Sequence, residues 1–356
     1  MAEILMDQPG EVRAEDTFDT AAVHEWLSSH VDGLAGPPDV RQFPGGASNL
    51  TYLLRYPDRE LILRRPPTGR KAATAHDMKR EFRVQRQLRP VFPYVPNVLA
   101  LCQDDAVIGS DFYVMDRIEG IILRGDLPEG MTLSPLQARD LAQSAIDRLI
   151  ELHSVDPDAA GLGDLGKGAG YVARQVRGWS ERLRAAHTDN VPDFEYVMAW
   201  LDEHQPGDVR ICVIHNDYRF DNMVLDGPET LNVVGILDWE MATLGDALMD
   251  LAGVVAYWVQ ADDDELAQLS RKQPTHLPGM PTRKEIVDYY CDRMGLRVAD
   301  WRFYEVFGAF RLAVIMQQIY YRYHHGQTHN PAFKNLWTYA GYLESRCRKA
   351  IEREAG

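Results

Sequence analysis

A group of acidic and amide side chains beyond the middle of the chain has the types and the spacing needed for chemistry on phosphate. The segment His215–Asn222 reads His-Asn-Asp-Tyr-Arg-Phe-Asp-Asn, so Asp217 and Asn222 stand five residues apart. After one hydrophobic run comes Asp238, within Leu-Asp-Trp-Glu. Phosphoryl transfer needs an acidic group to orient the attacking hydroxyl, and oxygen ligands to hold Mg²⁺ on the nucleotide phosphates. These residues could supply both.

Plainer interpretations of the same residues stay open. An isolated His-x-Asp with Asn five residues later could be a turn in which side chains cap the backbone. Asp221, inside the motif, is more simply a loop cap than a metal ligand. Asp246 stands just before a predicted helix and is more simply its N-cap, although Glu240 and Asp246 could also touch a metal or an acceptor.

The motif is predicted to lie on a short β-rich segment inside a helical region. Aliphatic and β-branched runs predict strands at Val209–Ile214, Met223–Leu225 and Leu231–Leu237. Long segments around them have apolar residues at i, i+3, i+4 spacing, which is typical of helices with one buried face. These helices are expected at Pro135–His153, Tyr171–Ala186, Phe194–His204, Ala247–Trp258, Arg283–Met294, Arg302–Tyr323 and Pro331–Glu352. Residues 117–356 are therefore predicted to form a large, mostly helical lobe.

The first 116 residues have a different character and predict a small β-rich lobe. A helix is expected over Thr20–Val31 and another over Thr74–Leu88. The β-prone runs Asn49–Tyr56 and Glu60–Arg65 are joined by a Pro-Asp turn, which predicts a hairpin. Further strands are expected at Val98–Leu101, Ala106–Ile108 and Asp111–Ile118. The fold class expected is α+β with two lobes, divided near residue 116.

His-x-Asp-x-x-x-x-Asn, followed by an apolar strand and Asp-Trp-Glu, resembles the catalytic core of the aminoglycoside phosphotransferase and choline kinase superfamily. Its members are similar in fold to protein kinases, and the likeness extends over nearly the whole chain. It includes the segments Phe43–Asn49 and Leu63–Pro67 and then Glu81. One branch, the kinase-like proteins found alone or fused to acyl-CoA dehydrogenase domains, is resembled in particular. The residues that carry this closer likeness are Tyr171, Arg174, Gln175, Trp179, Thr243–Asp246, Asp250 and Leu251.

The resemblance implies a role for each matching residue of the motif. Asp217 would be the catalytic base, which accepts or orients the proton of the acceptor hydroxyl. His215 would hold the shape of the loop rather than do acid–base work. Asn222 and Asp238 would bind Mg²⁺.

The resemblance also implies a nucleotide site on the β-rich lobe, for ATP with GTP as an open alternative. Arg64 stands where a kinase lysine contacts the α- and β-phosphates, and Glu81 would be its ion-pair partner. Backbone groups of the connector near Met115 and Arg117 would bind adenine. Amides of the glycine-containing segment would cover the triphosphate, at Gly45, Gly46, Ser48 and Asn49.

The chain departs from the pattern of related kinases at one position of the nucleotide site. Arginine is bulkier than lysine and forked, which bears on nucleotide preference and rate. Strand alternation places Arg64 and Arg65 on opposite faces, and Arg64, which follows Leu63, is taken as the residue that reaches the phosphates. There is also no Ala-Pro-Glu element, which argues against a protein kinase.

Composition bounds the classes of function. The 356 residues include 38 Lys and Arg against 53 Asp and Glu, a net charge of −15, which argues against a general nucleic-acid binder. The window Arg64–Arg89 alone carries a net charge of +7. The N-terminus lacks the pattern of a signal peptide, and the longest apolar candidate, Ala247–Val259, is too short to cross a membrane. Four widely spaced cysteines indicate reduced, buried thiols, so a cytoplasmic location is expected.

The function expected is an ATP- and Mg²⁺-dependent phosphotransferase acting on a hydroxyl of a small molecule. The resemblance favours a hydroxyacyl compound or its CoA thioester as acceptor, whereas an acidic large lobe would suit a cationic aminoglycoside. Two alternatives stay open: an enzyme that transfers adenylate, and a non-catalytic nucleotide-binding module that partners an acyl-CoA dehydrogenase.

Overall fold

The N-terminal strands form one five-stranded antiparallel sheet in this computed structural model, which describes residues 8–44, 49–67 and 77–353. The strands are β1 (Asp39–Gln42), β2 (Leu50–Arg55), β3 (Glu60–Arg65), β4 (Val98–Cys102) and β5 (Phe112–Asp116). Their order is β1-β2-β3-β5-β4, so β3 lies at the centre. The predicted hairpin is β2–β3, with Leu50 opposite Arg65.

Two helices cover the two faces of this sheet. Helix α1 (Thr20–Ser28) packs on the face formed by Leu61 and Leu63, and helix α2 (Met78–Leu88) packs on the face formed by Ile62. Because successive side chains of a strand point to opposite faces, Arg65 lies on the α1 side and Arg64 on the α2 side. The sheet therefore presents Arg64 to the helix that carries Glu81.

One predicted strand of this region is wrong. Residues 106–108 belong to a short helix, α3 (Asp105–Ile108), and not to a strand. The side chain of Asp104 accepts a hydrogen bond from the amide of Ala106 at 2.9 Å, and Gly109 ends the helix in the left-handed region at φ 78°. These cap signals outweigh a three-residue apolar run. The expected start of α2 at Thr74 lies outside the described residues, and the helix as described begins at Met78.

Eight helices are described in the C-terminal part of the chain, and they confirm the predicted helical character. They are α4 (Pro135–Ser154), α5 (Tyr171–Ala185), α6 (Glu195–Glu203), α7 (Ala247–Ala256), α8 (Glu265–Leu269), α9 (Arg283–Met294), α10 (Arg302–His324) and α11 (Leu336–Glu352). Helix α10 packs against both α7 and α11. The last helix starts later than expected, because Pro331–Phe333 forms a separate 3₁₀ turn.

The β-rich segment predicted around the motif contains four short strands, which pair in two separate ladders. Strand β6 (Ile211–Ile214) pairs antiparallel with β9 (Thr243–Asp246), which the sequence did not indicate. Strand β7 (Met223–Leu225) pairs antiparallel with β8 (Val233–Ile236). The motif loop follows β6, and the Asp-Trp-Glu turn follows β8, so each acidic element comes directly after a strand.

The chain divides into two compact units that are not continuous in sequence. The first unit extends to Ile122 and adds Ala159–Leu162 and Asn222–Ala242. The second comprises Leu123–Asp158, Gly163–Asp221 and the chain from Thr243 onward. The first unit thus contains the sheet and the β7–β8 ladder, and the second contains the helices α4–α11 and the β6–β9 ladder.

The four cysteines are buried and unpaired, as the sequence predicted. Burial raises the pKa of the Cys291 thiol to about 11. Among the described residues, no helix combines the length and the apolar character needed to cross a bilayer.

Candidate functional site

The loop after β6 holds its backbone in a fixed, partly strained shape. His215 is fully buried, and its Nδ1 accepts a hydrogen bond from the amide of Asp217 at 3.2 Å. Asn216 lies in the left-handed region at φ 67°, which costs energy for a residue other than glycine. The imidazole of His215 therefore fixes the backbone of Asp217, the expected catalytic base.

Asp250 on α7 is the second support of this loop. Its carboxylate accepts hydrogen bonds from the backbone amides of His215 at 2.9 Å and Asn216 at 2.8 Å. Burial raises the pKa of Asp250, but the hydrogen bond from His153 and the nearby histidines outweigh burial, so the pKa lies below its usual value. An ionised carboxylate under two amides holds them in place more strongly than a neutral acceptor would.

A chain of buried side chains holds Asp250 in turn. His153 Nε2, from α4, lies 3.1 Å from Asp250 Oδ2, and His153 Nδ1 lies 2.5 Å from the hydroxyl of Tyr290 on α9. Burial raises the pKa of Tyr290, so its hydroxyl stays protonated and can donate to the imidazole. His153 of α4 thus supports the α7 carboxylate directly, and Tyr290 of α9 supports it through His153.

The carboxylate of Asp217 is one-quarter exposed and is paired with an arginine of its own loop. Arg219 Nε lies 3.0 Å from Asp217 Oδ1 and 3.3 Å from Asp221 Oδ1. The guanidinium lies over the ring of Tyr257, 4.6 Å from the ring centroid. Burial raises the pKa of Asp221 and Arg219 opposes this effect. Asp221 is therefore ion-paired with Arg219, and the pKa of its carboxyl lies above the usual value.

Residues of α5 and α10 contact the left-handed residue of the loop. The hydroxyl of Tyr171 donates to Asn216 Oδ1 at 3.2 Å, and Arg311 Nη2 donates to the main-chain oxygen of Asn216 at 2.6 Å. A shallow concavity in the second unit is lined by Asp217, Arg219, Tyr257 and Arg311, among other residues.

The Asp-Trp-Glu turn in the first unit is built differently. Asp238 lies in the left-handed region at φ 67°, and Trp239, fully buried, packs edge-on against Phe92 at 6.2 Å. The amide of Leu237 donates to the main-chain oxygen of Asn222 at 2.8 Å. This bond brings Asn222 and Asp238, the two expected magnesium ligands, to the same end of the β7–β8 ladder.

A cluster of charges surrounds Arg64 beside that turn. Its guanidinium lies 3.0 Å from Glu81 Oε1, 3.0 Å from Asp238 Oδ1 and 3.9 Å from Glu240 Oε2. Burial by itself lowers the pKa of Arg64, but the carboxylates of Glu81 and Asp238 outweigh burial and hold it well above its usual value. Arg64 therefore stays positively charged. Its guanidinium forms ion pairs with both Glu81 and Asp238.

Neutral and main-chain contacts complete the turn. Asn49 Nδ2 donates to Glu240 Oε2 at 2.8 Å. Arg80 on α2 donates to the main-chain oxygen of Glu240 at 3.1 Å and to that of Ala242. Residue 49 thus links the start of β2, next to the glycine-containing segment, to the turn that carries Asp238.

The other expected nucleotide-site residues are placed only in part. Gly45, Gly46 and Ser48 lie outside the described residues. Met115 is buried on β5 opposite Ile62, and Arg117 ion-pairs with Glu60. Arg65, on the opposite face from Arg64, donates to the main-chain oxygen of Asp16 at 2.6 Å and lies over aromatic rings in the core.

Sequence reasoning missed the residues that support the motif from a distance. Asp250 was named above only as one of the residues that resemble the branch related to acyl-CoA dehydrogenases. A single sequence does not show which backbone amides its carboxylate binds. Arg219 could have been found, since an arginine between two acidic residues at short spacing is a simple signal. Asp246 is the N-cap of α7. Its side chain accepts hydrogen bonds from the amides of Leu248 and Met249 at 3.0 and 3.1 Å, which confirms the N-cap predicted from the sequence.

Comparisons with known proteins identify the family. Residues 39–286 match the phosphotransferase enzyme family. Acyl-CoA dehydrogenase family member 10 of Mus musculus is 38% identical over 308 residues, covering 85% of this chain and 28% of the mouse protein. Acyl-CoA dehydrogenase family member 11 of Rattus norvegicus is 32% identical over 325 residues, covering 88% and 41%. The chain thus spans less than half the length of these curated relatives.

Solved structures agree on the fold. A protein of Ralstonia eutropha, provisionally described as an aminoglycoside phosphotransferase, has a TM-score of 0.81 and 30% identity, covering 94% of this chain and 99% of that one. A type I macrolide 2'-phosphotransferase, at 0.59 and 19%, covers 93% and 97% and supports the fold alone. The kinase-like α+β fold is therefore confirmed, as is the likeness to the branch related to acyl-CoA dehydrogenases. The chain belongs to the phosphotransferase enzyme family.

Proposed function

We propose that this chain is an ATP- and Mg²⁺-dependent phosphotransferase that moves a phosphoryl group to a hydroxyl of a small molecule. One observation carries the proposal: Asn222 and Asp238 are joined through the Leu237 amide at the end of one ladder, and Arg64 bridges Asp238 and Glu81 there. Metal ligands next to a paired cation are the parts that hold nucleotide phosphates in kinase-like enzymes.

The residues near Asp238 fit a magnesium ion in their chemistry. Carboxylate and amide oxygens are ligands that Mg²⁺ accepts, usually with water and substrate phosphate completing its shell. Asp238 already offers its charge to a cation, Arg64, at 3.0 Å. When bound, Mg²⁺ would neutralise charge on the transferred phosphoryl group.

In the proposed reaction, the carboxylate of Asp217 is the base. The acceptor hydroxyl donates a hydrogen bond to the Asp217 carboxylate, and its oxygen attacks the γ-phosphorus of ATP. The bond from that phosphorus to the bridging β-phosphate oxygen breaks, the hydroxyl proton passes to Asp217, and ADP leaves. His215 and Asp250 hold the loop backbone that carries Asp217.

The nucleotide site is proposed on the first unit. Arg64, paired with Glu81, would contact the α- and β-phosphates. Backbone groups at Met115 and Arg117 would bind adenine, and either ATP or GTP would fit the proposal. The covering amides are proposed at Gly45, Gly46, Ser48 and Asn49. Asn49, the one of these that the structure describes, is buried and bonded to Glu240, which supports a fixed anchor for that segment.

The acceptor proposed is a hydroxyacyl compound, free or as its CoA thioester. The support is the naming of the relatives as acyl-CoA dehydrogenase family members, of which this chain covers 28% and 41% of the length. A protein of that class as a partner would be consistent with the same relatives. An aminoglycoside is the alternative acceptor, since APH(4)-Ia, 14% identical, was solved with hygromycin B and AMP-PNP.

Calorimetric titration of ATP and of GTP in the presence of Mg²⁺ tests the nucleotide part of the proposal. A panel of hydroxyacyl-CoAs and aminoglycosides, scored by ADP release, tests the acceptor. Asp217→Ala should bind nucleotide as the wild type does but lose turnover by about 10²–10⁴-fold, the usual contribution of a positioned base. The matched control is Asp292→Ala, an exposed aspartate on α9. Absence of nucleotide binding would overturn the proposal, and binding without turnover of any acceptor would favour the non-catalytic module.

A further inference from the structure

Two arginines line the concavity beside Asp217, and their charges are balanced differently. Arg219 forms ion pairs with Asp217 at 3.0 Å and with Asp221 at 3.3 Å. Arg311 is only 8% exposed. Within residues 8–44, 49–67 and 77–353, no carboxylate lies within 4.0 Å of its guanidinium. A buried charge is costly unless it is paired or hydrogen-bonded, so the second arginine needs an explanation.

The protein contacts of Arg311 satisfy its guanidinium only in part. Nη2 donates to the main-chain oxygen of Asn216 at 2.6 Å, and the guanidinium carbon lies 5.4 Å from the ring centroid of Trp179. One hydrogen bond uses one of five donors, and an indole face compensates a charge less than a carboxylate does. Asp250 lines the same concavity, but its oxygens accept from His153 and from two backbone amides.

The guanidinium of Arg311 lies where it could contact a ligand bound beside Asp217. It lines the same concavity as the Asp217 carboxylate. Space for its guanidinium is left by Gly253 on α7, where an added Cβ would lie 3.0 Å from Arg311 Nη1. A guanidinium held on a rigid helix by a carbonyl and an aromatic face is pre-organised to accept a planar anion.

We propose that Arg311 is a specificity-determining residue that binds an anionic oxygen group of the acceptor, a carboxylate or a phosphate, near the hydroxyl that Asp217 receives. This inference rests on the proposed function and adds to it the charge class of the acceptor. It disfavours polycationic amino sugars, because a desolvated guanidinium repels a like charge.

The experiment compares two small probes that differ in one anionic group, 4-hydroxybutyrate and butane-1,4-diol. Binding of each is followed by NMR titration of the full chain. The wild type should bind the hydroxy acid at least about tenfold more tightly than the diol, since a hydrogen-bonded charge pair in a partly buried site contributes that much. Inorganic phosphate, titrated alone, shows whether the site prefers a tetrahedral anion to a carboxylate.

The matched variants are Arg311→Gln, Arg311→Lys and Arg182→Gln. Arg182 lies over the same indole of Trp179, at 4.7 Å, but is exposed and does not line the concavity. Arg311→Gln should remove the preference for the anionic probes, Arg311→Lys should retain a part of it, and Arg182→Gln should leave it unchanged. If Arg311→Gln fails to fold, the comparison of Arg311→Lys with Arg182→Gln decides.

Several results would overturn the inference. They are equal binding of the acid and the diol by the wild type, no binding of any anionic probe, an unchanged preference in both Arg311 variants, and an equal loss in Arg182→Gln. Titration of Mg²⁺ and ATP on the same samples keeps this test separate from the proposed function. Nucleotide binding that survives in Arg311→Gln while the anion preference is lost supports both, whereas a wild type that binds the anion but no nucleotide contradicts only the proposed function.

Discussion

Two acidic loops of this molecule solve the same problem by different physical means. Each follows a strand, and each contains a residue other than glycine in the left-handed region, Asn216 in one and Asp238 in the other. The loop of Asp217 is held through its backbone by a buried carboxylate, Asp250, which His153 contacts from behind. The turn of Asp238 is held through side-chain charge, by Arg64 and its partner Glu81.

This difference bears on what each loop can do. The contacts of Asp250 hold the backbone of the first loop, while the carboxylate of Asp217 is ion-paired with Arg219 of the same loop. The carboxylate of Asp238 is itself part of the charge cluster, so a second cation must share or replace the contact with Arg64. The first loop is therefore expected to be rigid without ligand, and the second to respond to bound ions.

The largest effect is expected from removing the anion under the first loop. Asp250→Ala leaves two buried amides and His153 without their acceptor, and should lower the free energy of unfolding by about 3–5 kcal/mol. Urea denaturation measures it, with Asp292→Ala as the exposed control. A loss below about 1 kcal/mol would mean that the amides find other partners and that the loop is not held as described.

A comparable but smaller effect is expected at the second loop. Arg64→Gln leaves Glu81 buried without its cation, and should cost about 3 kcal/mol of unfolding free energy. Adding Glu81→Gln should restore part of that loss, because a neutral amide is cheaper to bury than an unpaired carboxylate. Thermal or urea denaturation of the single and double variants forms the test. Strict additivity of the two substitutions would show that the pair is not coupled.

Packing behind the first loop gives an intermediate effect. Gly308 on α10 lies so close to α7 that an added Cβ would stand 2.6 Å from the main-chain oxygen of Ala252. Gly308→Ala should therefore cost about 1–3 kcal/mol by overpacking, even though alanine favours helices. Gly178→Ala on α5, where the nearest contact of the added Cβ is a flexible arginine terminus at 3.5 Å, is the matched control. An unchanged or raised stability of Gly308→Ala would show that α7 and α10 can separate freely.

The stability contributed by Asp250, which holds the first loop, should depend on pH. The folded-state pKa of Asp250 is lowered, so its contribution to stability is present above the unfolded value of about 3.9 and is lost as the pH falls through the folded value. The difference in unfolding free energy between the wild type and Asp250→Asn should therefore shrink as the pH is lowered from about 5 to about 3. Urea denaturation at several pH values measures it. A constant difference would mean that Asp250 is not ionised in the fold.

The smallest effect is expected from removing the hydrogen bond between Asn49 and Glu240, which supports the second loop. Asn49→Ala removes the hydrogen bond to Glu240 and should cost about 1 kcal/mol. If the turn responds to bound ions as proposed, the same variant should also change the apparent affinity for Mg²⁺ and ATP in calorimetry. A stability change without any change in binding would separate Asn49 from the nucleotide site.

The sequence predicted correctly those features of the fold that depend on the periodicity of a single strand or helix. Alternation along β3 placed Arg64 and Arg65 on opposite faces, and the helical pattern placed Glu81 on α2, so their meeting needed only the order of the elements. The motif itself, from His215 to Asn222, could be read directly because its residues are neighbours in the chain. Asp250 could not be assigned, since it binds residues 35 and 97 positions away and such contacts depend on how helices pack.

Local signals also failed where they competed. The apolar residues 106–108 suggested a strand, but Asp104 and Gly109 at the two ends set a helical turn. Strand β9 was missed because its four residues, Thr243–Asp246, have no alternating pattern and are ordered by pairing with β6.

The discontinuous first unit has a consequence for synthesis. Its sheet is complete once Ile122 has left the ribosome, but the segment Asn222–Ala242, which brings Trp239 and Asp238, follows about 120 residues later. At about 5–20 residues per second, that interval lasts roughly 6–24 s. During it Arg64 has Glu81 but lacks Asp238, and the surface that Trp239 later covers beside Phe92 is open. A nascent chain stalled in this interval should therefore depend on chaperones more than one released after residue 242.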